Sequence, residues 1–333
     1  MSAATYDVLG IGNAIVDILA KADDGFLAAQ GMTKGAMALI DEARAAAIYQ
    51  AMGPGTEISG GSAANTIVGV ADLGARAAFV GKVRNDQLGA VFSHDIRAAK
   101  VAFDTPPAAG GPATACCYVL VTPDGERTMN TYLGAAQDLS PADIDPARIA
   151  ASAIVYLEGY LWDPANAKEA FLKAAQIAHQ NGRTVALTLS DAFCVGRYRD
   201  EFLDLLRSRT VDLVFANEAE LASLYRTDDF DAGIAQLRND AQLAVVTRSE
   251  KGCVVVARER VTPVPAFPVA KVVDTTGAGD LFAAGFLFGL VRGLSHEQAG
   301  QLGALAAAEV IQHIGARPQT SLKALAKSNG LPV

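Results

Sequence analysis

The sequence is poor in aromatic residues: one tryptophan, and 7% Phe, Trp and Tyr together. Large rings therefore cannot fill its core, and its abundant alanine implies small aliphatic side chains on closely packed helices. It has no surplus of positive charge. Lys and Arg number 28 against 36 Asp and Glu, a net charge of −8, and no basic cluster offers a track for a nucleic-acid backbone. A polyanionic ligand must then be held locally, by backbone amides and a metal. The four cysteines, Cys116, Cys117, Cys194 and Cys253, show no Cys-x-x-Cys or Cys/His spacing, so reduced thiols in a cytoplasmic protein are expected rather than a metal knot or a disulfide framework. No apolar run reaches about 18 residues, and the N-terminus has no basic stretch followed by an apolar one, so no membrane span or leader is expected. There is no Gly-x-x-x-x-Gly-Lys-Ser/Thr and no His-Glu-x-x-His. In Gly10-Ile11-Gly12, Ile15 stands where a dinucleotide fingerprint needs its third glycine.

What is present is an alternation of strand and helix patterns. A chain of 333 residues suffices for one large α/β domain or two smaller ones. Residues 6–12 read as a buried first strand. The next thirty carry scattered Gly and Asp without helical period, and suit strands of a different sheet. Residues 41–52 read as helix, 77–81 as strand and 88–100 as helix. Residues 114–121 and 127–133 flank Thr122-Pro123-Asp124-Gly125-Glu126, a β-hairpin that interrupts the alternation. βα units then repeat through strands at 154–157, 184–189, 211–216 and 243–247, followed by a meander at 252–264. An extended run at 268–273 precedes the last two helices, 279–292 and 295–312, the second opened by a Ser295/Gln298 capping box. The fold expected is α/β, a mainly parallel central sheet with helices on both faces and a small β-sheet lid. The large body would hold residues 1–12, 42–104 and 136–333, and the lid 13–41 and 105–135.

Three polar groups interrupt apolar surroundings. Asp274-Thr275-Thr276-Gly277-Ala278-Gly279-Asp280 places two glycines and a carboxylate at the mouth of an apolar helix. Uncovered N–H groups and the positive end of the helix dipole there suit an anion, and Asp280 beside them suits proton removal. Asn13 and Asp17 follow the first strand, and Gly60-Gly61-Ser62-Ala63-Ala64-Asn65 opens another helix. Carboxylate, amide and bare backbone together suit a polyhydroxylated ligand at the carboxyl ends of parallel strands. Each residue also has a plain structural reading. Asp17 serves equally as a loop carboxylate, Ser62 or Asn65 as a helix start, Asp280 as a dipole-compensating residue and Tyr160 as a packing tyrosine. The joint occurrence in this order favours the phosphoryl-transfer site.

These motifs resemble those of the ribokinase-type (PfkB) family of sugar and nucleoside kinases. Residues 60–65 resemble its N-terminal motif, residues 274–280 its C-terminal motif, and Asn217-Glu218-Ala219-Glu220 its Asn-x-x-Glu element. The resemblance implies an ATP-dependent kinase. Asp280 would be the base, and the amides of Gly277, Ala278 and Gly279 the anion hole, with Thr275 beside them at the nucleotide. Glu220 would organise Mg²⁺ through water with Asn217, and many members add a monovalent cation such as K⁺. Thr247 and Gly252 match the nucleotide loop Thr-x-Gly-x-x-Gly, whose first glycine is replaced here by Ser249. Several stretches look most like the adenosine kinase branch. Residues 12–18 match its opening motif, where Asn13 and Asp17 would hold ribose beside Gly60, Gly61 and Asn65. Leu133-Gly134-Ala135-Ala136 matches a stretch lining its nucleoside pocket. Thr188-Leu189-Ser190-Asp191-Ala192-Phe193 resembles its Asn-Leu-Ser-Ala-Pro-Phe segment, with Asp191 and Ala192 departing from it, and Tyr160 stands in its aromatic pair. The expectation is phosphorylation of the 5′-hydroxyl of adenosine by a cytoplasmic monomer or homodimer, without nucleic-acid or membrane partners. The alternatives are another nucleoside or a free sugar such as fructose or ribose as acceptor and, more distantly, a non-catalytic binding regulator.

Overall fold

The computed structural model describes residues 4–333. Its strands are β1 (Tyr6–Ile11), β2 (Ile15–Lys21), β3 (Met37–Leu39), β4 (Gly55–Gly60), β5 (Ala77–Val80), β6 (Val101–Ala102), β7 (Ala115–Val121), β8 (Arg127–Tyr132), β9 (Ser152–Glu158), β10 (Thr184–Thr188), β11 (Leu213–Asn217), β12 (Leu243–Thr247), β13 (Cys253–Ala257) and β14 (Val261–Val264). Its helices are α1 (Asp24–Ala29), α2 (Glu42–Ala51), α3 (Ser62–Asp72), α4 (Gln87–Ala98), α5 (Pro146–Ala150), α6 (Ala165–Gln180), α7 (Ala192–Arg207), α8 (Glu218–Tyr225), α9 (Phe230–Asp240), α10 (Ala278–Val291), α11 (His296–Val310) and α12 (Leu322–Ser328).

Nine strands form one sheet, in the order β14-β13-β12-β11-β10-β9-β1-β5-β6. It is parallel from β6 to β12, with β13 and β14 antiparallel at the far edge. Its inner strands are apolar without alternation because helices cover both faces. In β1, Val8 joins the core on one face and Leu9 and Ile11 the core on the other; in β9, Ile154 and Tyr156 separate in the same way from Val155 and Leu157. Against the expectation, rings do fill part of the core, since Phe79, Phe92 and Phe103 are buried in mutual contact with centroids 5.3–6.0 Å apart, whereas small residues govern the packing of α10 on α11. A Cβ on Gly289 of α10 would lie 2.6 Å from the Cβ of Ala299 in α11, so those helices approach at a distance only glycine permits.

The other five strands form a second sheet, β3-β8-β7-β2-β4. The hairpin is β7 and β8, paired from Cys116–Tyr132 to Val121–Arg127, and β2 and β3 come from the segment without helical period. That segment also holds the short helix α1, capped by Asp23, whose side chain accepts from the Phe26 N–H. Over residues 42–60 the pairing departs from the expected boundaries. Residues 42–104 were assigned wholly to the large body, yet β4 lies within them and pairs antiparallel with β2 in the small sheet, from Ile15–Gly60 to Ala20–Gly55. Gly-Thr-Glu-Ile-Ser-Gly is too short and too polar to announce a strand, and its partner decides its state. Helix α2 sides with this sheet too, since Glu42 accepts from the Tyr132 hydroxyl of β8 at 3.2 Å and Tyr49 lies against Tyr118 of β7 with ring centroids 6.5 Å apart. Residues 268–273 enter neither sheet. Beyond the two expected closing helices the chain forms α12, capped by Ser321.

Candidate active site

The carboxyl ends of β1 and β9 lie side by side, with Ile11 paired to Leu157. The residues just beyond them, Asn13 and Glu158, are 3% and 1% exposed. Asn13 donates to Glu158 Oε1 from its side-chain Nδ2 at 2.6 Å and from its backbone N at 3.4 Å, and the Ala63 N–H donates to Oε2 at 2.8 Å. Burial outweighs these donors and pushes the Glu158 carboxyl up to about 7. The geometric consequence is a fixed amide. With its nitrogen engaged by Glu158, Asn13 keeps an Oδ1 with no protein partner.

From Asn13 the chain enters β2, which presents Asp17. Among the described residues none donates a hydrogen bond to this carboxylate, and a Cβ on Gly60 would overlap it; Gly60 is bare so that Asp17 can sit there. Gly61, at φ 98°, is bare for a second reason, because a Cβ would overlap the Asn13 carbonyl. Gly61 is also the N-cap of α3, so Ser62 is not the cap. Instead Ser62 Oγ donates to Asp280 Oδ1 at 2.6 Å, and Asn65 Nδ2 donates to Asp280 Oδ2 at 3.0 Å. Asn65, 5% exposed, is left like Asn13 with an unpartnered Oδ1.

Asp280 is in the first turn of α10, whose N-cap Gly277 is left-handed at φ 79°. The turn before it is fixed by Asp274: Oδ1 accepts from the Thr276 N–H at 3.0 Å and Oδ2 from the Gly315 N–H at 3.0 Å. Arg127 of β8 reaches across from the small sheet, its Nη2 at 2.8 Å from Asp274 Oδ2 and its Nη1 donating to Thr276 Oγ1 at 3.3 Å. Within the turn the Ala278 N–H is engaged by the Thr275 carbonyl at 3.2 Å, whereas the N–H groups of Gly277, Gly279 and Asp280 have no acceptor among the described residues. A Cβ on Gly277 would lie 2.7 Å from that of Ala316, but one on Gly279 would meet nothing within 4 Å. Packing does not require glycine at 279. Open backbone donors at a helix start can hold an anion, and the carboxylate beside them can take a proton.

These groups share a cavity of about 700 Å³ between the two sheets. At one end are Asn13, Asp17, Asn65 and Asp280. The small sheet contributes the apolar Leu19, Met37, Leu39, Val119 and Met129 to the lining, beside Asp17, Cys117, Arg127 and Thr131. Opposite stand Tyr160, Asp191 and Phe193, the last 72% exposed, and Tyr160 donates through its hydroxyl to the Ser190 carbonyl at 3.3 Å. Leu133 lines the space, but Ala135 is fully buried behind it. Burial pushes Asp17 up to about 6 and raises Asp280. Two arginines oppose that rise at Asp17, Arg317 and Arg127, and Arg317 does so at Asp280 as well. Glu158, Arg127 and Arg317 were not singled out in the sequence. A carboxylate ending the apolar run 154–157 was a usable signal for Glu158, but no local pattern marked the arginines.

The profile described as pfkB family carbohydrate kinase matches residues 45–323. The chain belongs to the pfkB carbohydrate kinase family. The crystal structure of adenosine kinase from Sinorhizobium meliloti is 56% identical, with a TM-score of 0.91 over 98% of this chain and 100% of that one. Adenosine kinase from Saccharomyces cerevisiae is 27% identical over 93% of this chain and 96% of its own length. Fructokinase-1 from Oryza sativa is 30% identical over 70% of this chain and 74% of its own. The fold is thus ribokinase-like, and the pfkB protein is a phosphotransferase acting on a hydroxyl group of a sugar or nucleoside, with ATP as co-substrate.

The remaining expected nucleotide residues lie outside the cavity wall. Asn217 and Glu220 form a capping box at α8: Asn217 Oδ1 accepts from the Glu220 N–H at 2.9 Å, while Glu220 accepts from the Asn217 N–H at 3.0 Å and from its Nδ2 at 2.7 Å. Both carboxylate oxygens are thereby engaged, and burial pushes Glu220 up to about 7. Among the described residues no three His, Cys, Asp or Glu side chains converge as a metal cage. This donor set suits a Mg²⁺ that arrives on the phosphates of ATP and meets Glu220 through water. Asp274, the carboxylate preceding the anion-binding turn, accepts from the N–H groups of Thr276 and Gly315 and pairs with Arg127. Thr247 at the end of β12 and Gly252 at φ 82° bracket a 3₁₀ turn. Ser249, in place of the family glycine, is itself left-handed at φ 51°, which keeps the backbone shape at a steric cost of about 1 kcal/mol.

Proposed function

We propose that this pfkB kinase transfers the γ-phosphoryl group of ATP to the 5′-hydroxyl of adenosine, giving AMP and ADP, a purine-salvage reaction. The observation that carries the choice of acceptor is the two-ended cavity. Its polar residues Asn13, Asp17, Asn65 and Asp280 match the hydroxyls of a pentose, while the apolar lining residues Leu19, Met37, Leu39, Val119, Met129 and Phe193 match a planar base. A free sugar would leave that half filled with water.

In this reading Asp17 accepts from the vicinal ribose hydroxyls, since it has no protein donor. The unpartnered Oδ1 atoms of Asn13 and Asn65 accept as well, and their nitrogens, held by Glu158 and Asp280, are unavailable. Asp280 removes the proton of the 5′-hydroxyl as its oxygen attacks the γ-phosphorus and ADP departs. Ser62 and Asn65 keep the carboxylate aimed. The free N–H groups of Gly277, Gly279 and Asp280 stabilise charge on the transferred group, and Mg²⁺, when bound with ATP, neutralises the β- and γ-phosphates. The small sheet acts as a lid over the acceptor. The protein works in the cytoplasm, in keeping with four buried free cysteines whose thiols burial raises, Cys194 and Cys253 to about 12. A panel of nucleosides and sugars with ADP release as readout tests the proposal. Turnover of adenosine well above fructose and ribose supports it; strong turnover of either sugar with none of adenosine overturns it.

A further inference from the structure

We infer that Arg317 is a positioning residue for phosphoryl transfer: its guanidinium pins the joint where the small sheet passes into α3, and its charge serves the two cavity carboxylates, Asp17 and Asp280, together. The inference rests on Asp280 as the base of this kinase and not on which acceptor it uses.

Arg317 lies on the loop between α11 and α12 and lines the cavity. It donates to the Ser59 carbonyl from Nε at 3.1 Å and from Nη2 at 2.7 Å, to Ser59 Oγ from Nη2 at 3.0 Å, and to the Ala64 carbonyl from Nη1 at 3.2 Å. Ser59 is in β4, directly opposite Val16 and one step from the pair Asp17–Ile58. Ala64 stands between Ser62 and Asn65, the two donors that hold Asp280. One planar fork therefore ties the strand beside Asp17 to the first turn beside Asp280, bridging Gly60 and Gly61, where a glycine pair would otherwise leave the backbone free. Asp95 of α4 grips Ser59 from the other side, Oδ2 accepting from its N–H at 2.8 Å and from its hydroxyl at 2.6 Å. The loop carrying Arg317 is itself anchored, because Glu309 Oε1 accepts from the N–H groups of Gln319 at 3.0 Å and Thr320 at 2.8 Å.

The second half of the argument is charge. Asp17, Asp280, Glu158 and Asp95 bring four carboxylates to this joint. Asp274 is neutralised by Arg127, and Cys117 and Tyr160 face the same space as neutral groups. Arg317 is common to the charge environments of Asp17 and Asp280, and burial lowers its own pKa only to about 10, so it remains charged at neutral pH. A base must be anionic before it can take a proton, and burial works against that state. Arg317 offsets the effect without forming an ion pair, which would compete for the carboxylate oxygens that Ser62 and Asn65 orient.

The test is the pH profile of kcat/KM, from about pH 5 to about pH 9, for whichever acceptor the wild-type enzyme turns over. It is measured for Arg317→Met and Arg317→Lys, each checked for folding by circular dichroism. The acid limb belongs to the coupled Asp17 and Asp280 pair. Losing the cation raises the proton affinity of both, so Arg317→Met is expected to move the limb up by about one pH unit or more. Arg317→Lys keeps the charge but not the fork; its limb should stay in place while kcat falls about tenfold. A wild-type limb in folded Arg317→Met overturns the charge role, and a wild-type kcat in Arg317→Lys overturns the clamp. Should the Met variant fail to fold, Arg317→Gln takes its place for the limb, and the Lys variant decides the clamp through its kcat. A wild-type protein that releases no ADP with any acceptor would instead overturn the kinase reading, on which the inference depends.

Discussion

The two ends of the cavity are built on opposite principles. At the polar end most side chains are held by a second one: Asn13 by Glu158, Asp280 by Ser62 and Asn65, and Asp274 by Arg127. At the apolar end Leu19, Met37, Leu39, Val119 and Met129 have no directional partners, and Met37 and Leu39 are still exposed. The polar end is preorganised, as charge stabilisation requires. The apolar end can re-pack around its ligand, and for it shape matters more than any one atom. Chemistry should therefore break sharply at one end and specificity drift gradually at the other.

The largest expected effect is at Asp280. Asp280→Asn should retain fold and nucleotide binding while kcat falls by about 10³, measured by coupled ADP assay beside a thermal melt; near-normal turnover would remove Asp280 as the base. Gly279→Ala comes next. A Cβ there meets no protein atom, and alanine favours helix, so Tm should hold or rise by the equivalent of about 0.4–1 kcal/mol. Yet kcat should drop about 10²-fold as the methyl group crowds the anion site. A variant both stable and active would show that the open side of that turn holds nothing.

Asp17→Asn should raise KM for the acceptor about 10- to 100-fold, the worth of hydrogen bonds to a charged group, with kcat changed less. Met129→Ala, at the apolar end, should raise KM for adenosine only about fivefold to tenfold and leave turnover of a poor sugar acceptor untouched. Equal losses on both acceptors would erase the contrast between the ends. The smallest effect is on stability. Asp17 at about 6, and Glu158 and Glu220 at about 7, lie above their unfolded values, so the folded state binds more protons than the unfolded one between about pH 4 and 7. Their contribution to stability is complete below the unfolded values and is lost as pH rises through about 6–7, while the acid limb of activity runs the other way. Glu158→Gln should flatten that slope in chemical denaturation at pH 5 and pH 8 by about 1 kcal/mol. An unchanged slope would show that Glu158 does not carry it.

The sequence by itself determined the chemistry-bearing backbone. Gly277 and Gly279 before Asp280, Gly60 and Gly61 before Asn65, and the apolar strands of the large sheet are local patterns, legible because turn geometry and burial on both faces leave marks at fixed spacing. Those marks carry the resemblance to the family and, with it, phosphoryl transfer to a hydroxyl group. Tertiary structure alone decided who holds whom. Ser62 reads locally as a helix cap, and only the approach of α10 to α3 turns its hydroxyl toward Asp280, 218 residues away. Strand β4 was invisible because its state depends on pairing with β2. Arg127 and Arg317 were invisible because a lone arginine carries no period, and its meaning comes from the carboxylates and carbonyls that distant segments bring within reach of its fork. Long-range electrostatics and hydrogen bonding have no sequence spacing, and that is why the reaction was legible in the chain while its supporting residues were not.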